Sequence, residues 1–515
     1  MNRRQLLASL TGAASATALR PISFAQPISA TVLPRDLATD PRRPQYHLLP
    51  KANWMNDPDA PIYWKGVYHM FYQYNPDGAY WGNMHWGHAV SPDMVHWHHL
   101  PVALEPTPGG PDSDGCFTGT AAIQDDRVVI LYTGVKAVPQ EQATIMGSTP
   151  PLLETQCLAV SDDPDLRSWT KTPAPVLSAP PQGMQVNGFR DPSPWRQGDW
   201  WYMVAAAGIP NQGGCALLYR SKDLRTWEYM HVLSKTVRDG SAAFNPLSPW
   251  EVWECPEFFA VGDWHVLIYS TGRRTHWQSG KLDKEKMIFR PEQSGILDYG
   301  SLYAAKTQLD QSGNRIVWGW IQESRSVEDC KAAGWAGVMS LPRVLTVADD
   351  GRIRTRAAVE VNQLRTNEQR LHLTGDEENN HAQIDSMRLK GCCGEILCTV
   401  RRTSEAFKLT LSGSSESTAP WLTLRHDPHH AGEIFADAYP LPVLPGENKN
   451  LDLDLYVDGS VIEVLINGEA AYTKRFYDPG STAPDLQLQW TGRPADIANL
   501  QVWQLSPISE NRLTT

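Results

Sequence analysis

The chain carries no run of Lys or Arg. Its acidic residues outnumber its basic ones, 57 to 46, for a net charge of -11. Without a basic run or a basic stripe interleaved with aromatics, nucleic acid is not an expected partner. Once the N-terminus is set aside, no apolar stretch approaches the roughly 20 residues of a membrane span. No membrane association is expected of the remaining chain. Eight cysteines are scattered without a C-x-x-C pair, and His85, His88, His96, His98 and His99 cluster without an H-E-x-x-H pattern. No metal site is expected on those absences, and no motif implies a cofactor. Cys116, Cys157, Cys215, Cys255 and Cys330 read as buried free thiols. Cys398 is a candidate for a bridge to Cys392 or Cys393 in an oxidising compartment.

What the chain does have is length, tryptophan and a leader-like start. Its 515 residues suffice for two domains with a large core. Arg3-Arg4, Leu6-Leu7, a mildly apolar stretch to Leu19 and Ser23-Phe24-Ala25 together read as a signal segment over residues 1–25. The paired arginines favour the twin-arginine export route. The protein is therefore expected outside the cytoplasm, in the periplasm or beyond, with residues 26–45 as a linker.

An internal repeat organises the next 300 residues. Apolar, aromatic strands recur at 68–74, 128–133, 201–206, 265–271 and 315–320, each preceded by a tight polar turn such as Trp64-Lys65-Gly66 or Gln197-Gly198-Asp199. Each turn follows another short strand, so every unit opens on a hairpin. A second phrase recurs behind it: Ser91-Pro92-Asp93 before Trp97, Ser161-Asp162-Asp163 before Trp169, and Ser221-Lys222-Asp223 before Trp227. Five such units read as four-stranded blades, and a closed ring of blades leaves few sheet edges exposed. The expected fold class is all-β: a five-bladed β-propeller over residues 46–345, a linker at 346–365, and a β-sandwich over 366–515. The sandwich follows from short alternating strands and the Asn467-Gly468 hairpin signal.

Three acids sit at related points of that repeat, in Trp54-Met55-Asn56-Asp57-Pro58, Phe189-Arg190-Asp191-Pro192 and Trp253-Glu254-Cys255-Pro256. Each opens the first strand of its unit, as do Phe117-Thr118 and Tyr303 in the other two. First strands line the channel of a propeller, so these side chains should face one another across a funnel. Converging carboxylates suit cleavage of a glycosidic bond, in which one acid protonates the leaving oxygen and another meets the sugar cation. Twenty tryptophans suit a β-rich protein with aromatic sugar sites.

Asp57 is the expected nucleophile, with Asn56 and Gln73 offering amides to sugar hydroxyls. Glu254 is the expected general acid, shielded from water by Trp253 and Phe258. Glu257 is its rival. In a regular strand residues three apart point to opposite faces, so only one should face the channel, and the repeat phase favours Glu254. Asp191 is the third acid, expected to bind two hydroxyls and to stabilise positive charge in the transition state. Arg190 is expected either to clamp a neighbour or to form a structural ion pair with Asp191. Trp54, Trp81 and Phe117 are candidate walls, and Thr118 a candidate substrate contact.

These phrases resemble glycoside hydrolase family 32, the invertases, inulinases, levanases and related fructosyltransferases. The likeness rests on Trp54–Pro58, Phe71–Pro76, Trp86-Gly87-His88, Arg190-Asp191-Pro192, Trp253-Glu254-Cys255, Tyr299–Thr307, Trp318-Gly319-Trp320, Gly334–Gly337 and Leu341-Pro342-Arg343. The resemblance implies a five-bladed propeller plus sandwich. It also implies that Asp57 is nucleophile, Glu254 acid/base and Asp191 transition-state stabiliser. The chain departs from the family pattern in three places. Asn56-Asp57-Pro58-Asp59-Ala60 stands where N-D-P-N-G is usual. Phe117-Thr118-Gly119-Thr120 replaces F/W-S-G-S and keeps the hydroxyls. Glu257 stands where Asp is common. Asp59 is expected either to raise the proton affinity of Asp57 or to bind a sugar hydroxyl outside the first subsite. The expected activity is retaining release of terminal β-fructosyl units from sucrose or short fructans. The rivals are a fructosyltransferase with the same residues, an arabinan-type propeller glycosidase and a non-catalytic sugar-binding propeller.

Overall fold

A computed structural model describes residues 35–145, 147–236, 251–401, 405–413, 419–430, 432–443, 450–477 and 485–509. The expected signal segment at 1–25, and the linker up to residue 34, lie outside the described residues. Five antiparallel sheets follow one another along the chain, each running outward from its first strand. Those first strands are Asn53–Trp64, Gly115–Gln124, Asn187–Gln197, Glu254–Val261 and Leu302–Leu309 in blades I to V. Each contacts the next in chain order, and the fifth contacts the first, which closes the ring. Packing between blades is apolar. Met203, Leu217 and Tyr219 of blade III, for example, meet Ala122, Leu131 and Leu158 of blade II in one buried cluster.

The recurring tryptophan phrase is a structural repeat. Trp97, Trp169 and Trp227 donate their indole N–H to the carbonyls of Met94, Leu166 and Leu224, at 3.0, 3.0 and 3.1 Å. Each of those acceptors has a left-handed backbone, with φ of 65°, 55° and 62°. An aspartate accepts turn N–H groups in the same three places, Asp93, Asp163 and Asp223.

Two expectations need correction. The stretch 346–365, read as a linker, holds blade structure: Arg343–Val347 and Ile353–Ala357 pair as a hairpin and finish blade V. The outer strand alternates buried Ile353 and Thr355 with more exposed Arg354 and Arg356. Its charged face meets solvent at a sheet edge, and that charge mimicked a linker. The proposed cysteine bridge is also absent: Cys392, Cys393 and Cys398 are buried and not joined by a disulfide. Cys393 and Cys398 lie five residues apart on one strand, about 16 Å at strand rise, beyond disulfide reach.

Blades I and V are fastened by a short crossing segment. Trp335–Ala336 pairs in parallel with Asn53 and Trp54, while Val338–Met339 pairs with Trp320 and Ile321. Gly337 stands between the two at φ +85°, and a Cβ there would lie 1.7 Å from the Met55 carbonyl oxygen. Only glycine fits that crossing.

The sandwich follows a short 3-10 turn at Val359–Leu364, with two six-stranded sheets around a large apolar core. It docks on the propeller through a buried charged network. Arg343 of blade V reaches Asp298 of blade IV at 2.9 Å and Glu463 of the sandwich at 2.5 Å. His47 bridges Asp458 and Glu463 at 2.8 and 2.9 Å. Burial alone would lower the proton affinity of His47, but hydrogen bonds to Asp458 and Glu463 outweigh it and raise the pKa to about 9. Because the folded pKa lies above the unfolded value of about 6.5, this contribution to stability is complete below about pH 6.5. It is lost as pH rises through about 9. The melting temperature should therefore fall across that window, and His47→Gln should remove this part of the slope. Equal slopes in thermal melts of the two proteins would exclude His47 as the cause.

Candidate active site

Every inner strand carries one extra residue at the same depth. The register slips at Asn56-Asp57 in blade I, Thr118 in II, Asp191-Pro192 in III, Cys255-Pro256 in IV and Ala304-Ala305 in V. A bulge places two residues opposite one and re-aims the side chains around it. In blades III to V its first residue is left-handed although none is glycine: Asp191, Cys255 and Ala304 have φ of 58°, 50° and 53°. Their N–H groups are each held from within the propeller: Asp191 donates to Thr133 Oγ1 at 2.8 Å, Cys255 to Asp191 Oδ2 at 2.7 Å, and Ala304 to Ser270 Oγ at 2.9 Å.

The bulge sorts the axial side chains into two layers. Arg190, Glu254 and Tyr303 hold matching positions just before it and meet at the cavity. Ser193, Glu257 and Lys306 hold matching positions just after it and meet beneath. This overturns the expectation that only one of Glu254 and Glu257 can face the channel. Across a bulge, residues three apart share a face, so both face it at different depths. Glu257 is buried on Lys306 at 3.3 Å and accepts from Thr120, Ser193 and Thr307.

Above that layer lies a cavity of about 320 Å³, lined by Asn56, Asp57, Gln73, Trp81, Phe117, Thr118, Arg190, Asp191, Glu254, Tyr303 and Trp320. Asp57 is held by three donors: Asn56 Nδ2 at 2.9 Å, Thr118 Oγ1 at 2.8 Å and the Cys255 thiol at 3.4 Å. Burial raises its pKa above the ordinary aspartate value. The Asn56 and Thr118 hydrogen bonds oppose that rise, and the Glu254 charge adds to it. Asp191 is almost fully buried, and burial lifts it to about 7 against the pull of Arg190 and Lys306. Glu254 is about one-third exposed, with 34% of its side chain accessible. One of its oxygens accepts from the Tyr303 hydroxyl, and the other lies 3.7 Å from Arg190.

Nine of the eleven expected site residues thus line one cavity, and two do not. Trp54 lines a neighbouring cleft instead. Its indole donates to Asn56 Oδ1 at 2.7 Å, which sets the amide that holds Asp57. Asp59 lies beneath the cavity floor, fully buried, with Gln73 Nε2 at 2.7 Å. It contacts no cavity space, so the expected hydroxyl contact is overturned. Burial and the Asp57 charge push its carboxyl well above the usual range. Trp253 and Phe258, expected to shield Glu254, pack instead between blades III and IV. Arg190 does not simply pair with Asp191: its closest ion pair is to Glu154, at 3.0 Å. Tyr303 was expected to face the funnel but was given no role, and Trp320, Lys306 and Glu154 were not among the expected site residues. Tyr303 and Lys306 were available from the repeat, at the phases of Glu254 and Glu257.

The family model described as the glycosyl hydrolases family 32 N-terminal domain matches residues 47–356, and the family 32 C-terminal model matches 360–504. A sucrose-6-phosphate hydrolase of Escherichia coli is 33% identical over 482 residues, covering 90% of this chain and 94% of its own. A raffinose invertase of Escherichia coli is 32% identical over 502 residues, covering 90% and 95%. A Bombyx mori GH32 β-fructofuranosidase, also solved as a mutant in complex with sucrose, superposes with a TM-score of 0.72 at 27% identity, covering 92% and 96%. With both domains matched by the family models and nine-tenths of the chain aligned to relatives above 30% identity, the protein belongs to glycoside hydrolase family 32 and is a β-fructofuranosidase-type enzyme.

Proposed function

We propose that the enzyme releases terminal β-fructosyl units from sucrose and short fructans with retention. Asp57 attacks the anomeric carbon while Glu254 protonates the departing oxygen. Water then opens the fructosyl-enzyme with Glu254 taking its proton. Asp191 accepts hydrogen bonds from hydroxyls of the bound sugar and stabilises the positive charge that develops between them. The observation that carries this reading is the unequal holding of the two acids. Three donors fix Asp57 deep in the cavity, as an anionic nucleophile requires. Glu254 is open to water and bonded to a hydroxyl, as a group that gives and regains a proton in each cycle requires. The buried layer beneath closes the floor of the cavity. Sucrose as substrate is supported by the Bombyx mori complex.

Asp57→Ala and Glu254→Ala should each lower sucrose turnover by about a hundredfold or more with melting behaviour retained. A folded variant that keeps a tenth of the activity would remove that residue from its role. NMR of the first-formed fructose should show the β-anomer, and initial α-anomer would refute retention. Thr118→Val deletes a hydrogen bond that favours ionised Asp57, so the acidic limb of kcat/KM should move up by as much as about one unit. A limb that stays in place would mean that Thr118 does not tune the nucleophile.

A further inference from the structure

Glu154 touches no cavity space, yet it is the closest charged neighbour of a residue that does. It lies on the third strand of blade II, Leu152–Ser161, and is fully buried. One of its oxygens is hydrogen-bonded, and the other makes an ion-pair contact without hydrogen-bond alignment. Oε2 accepts from the Phe189 N–H at 2.6 Å and from Thr144 Oγ1 at 3.1 Å, and Oε1 lies 3.0 Å from Arg190 Nε. The guanidinium is boxed in from the other side too. At Gly188, with φ +74°, a Cβ would lie 2.9 Å from Arg190 Nη2 and 2.8 Å from Val252. Arg190 Nη1 then stands 3.7 Å from Glu254 Oε1.

That arrangement holds a conflict. A general acid must carry a proton when substrate binds, but a cation within about 4–6 Å favours the ionised form. We propose that Glu154 is a positioning residue for the reaction: it fixes Arg190 beside Glu254 and offsets the guanidinium charge, so that Glu254 keeps its proton at working pH. The inference rests on Glu254 as the general acid. The other groups facing Glu254 are the Tyr303 hydroxyl, the Asp57 and Asp191 carboxyls and the Cys255 thiol. Glu154→Gln leaves all of them in place.

The test is the pH dependence of kcat/KM for full-length Glu154→Gln on sucrose and on β-fructofuranosyl fluoride, whose fluoride departs with little proton assistance. The alkaline limb on sucrose should move down by about one unit or more. The acidic limb and the alkaline limb on the fluoride should stay in place. Glu154→Asp keeps the charge but withdraws it by one methylene, and its alkaline limb should fall between wild type and Glu154→Gln. It serves as the second readout if Glu154→Gln does not fold. An unmoved alkaline limb on sucrose, whatever the turnover, overturns the inference. Glu254→Gln separates this from failure of the general-acid reading: it should keep fluoride cleavage while losing sucrose cleavage, and equal loss of both would sink the role of Glu254 instead.

Discussion

One extra residue in each inner strand decides which side chains reach the cavity. A regular strand repeats its facing every two residues. With the bulge, Arg190 and Ser193, Glu254 and Glu257, and Tyr303 and Lys306 face the same axis three apart. Left-handed backbone at a non-glycine residue costs of order 1–3 kcal/mol, and three such residues ring this site. The fold offsets that cost locally, since each strained N–H has a buried acceptor. One acceptor is Asp191 itself. The bond that holds blade IV in its bulged form also fixes one oxygen of the third acid, so backbone geometry and site geometry are a single arrangement.

The layer under the cavity handles an electrostatic problem that the acids create. Asp57, Asp59, Asp191 and Glu257 lie close to one another with little water. Lys306, fully buried, is a cation among them, with Arg190 on the cavity side. It pairs with Glu257 and acts at longer range on Asp59 and Asp191. Removing one member of a buried pair typically costs more than the pair gains, so such a layer selects an arrangement rather than adding stability. The domain junction works in the same manner. Arg343 joins strands of blade V, blade IV and the sandwich through Glu463, Asp298 and Thr473. A displaced sandwich would strand those charges, so the network fixes its orientation more than its affinity.

Much of this was legible in the chain. Hairpin spacing gave the five blades, the Ser/Asp/Trp phrase marked three of their outer turns, and the acids were found by phase. What was not legible has several physical causes. The extra residue recurs at the same level in every blade, so comparing the repeats with one another does not expose it. Read as regular strands, the same residues made Glu254 and Glu257 exclusive and left Lys306 without a place. Asp59 misled in another way: two residues from Asp57 it shares the axial direction, but the closed floor of the cavity lies between them. Glu154 was out of reach because it meets Arg190 across a blade boundary, and no local pattern encodes that contact. The hairpin 343–357 was missed because an edge strand with a charged outer face has the composition of a linker.

The two acids of the reaction face opposite demands, and the ring meets them by drawing their neighbours from different blades. Asp57 must stay anionic and still, although burial favours its protonated form. Its three donors come from its own strand, from Thr118 of blade II and from Cys255 of blade IV, so no single loop motion can release it. Glu254 must exchange its proton in every cycle. Its neighbours are a hydroxyl from blade V and a guanidinium from blade III whose closer ion pair is to a carboxylate on blade II. All five blades therefore act on that carboxyl or on the nucleophile facing it. A closed ring of five can supply such convergence from rigid strands, whereas an open sheet would have to bring the same groups together on loops.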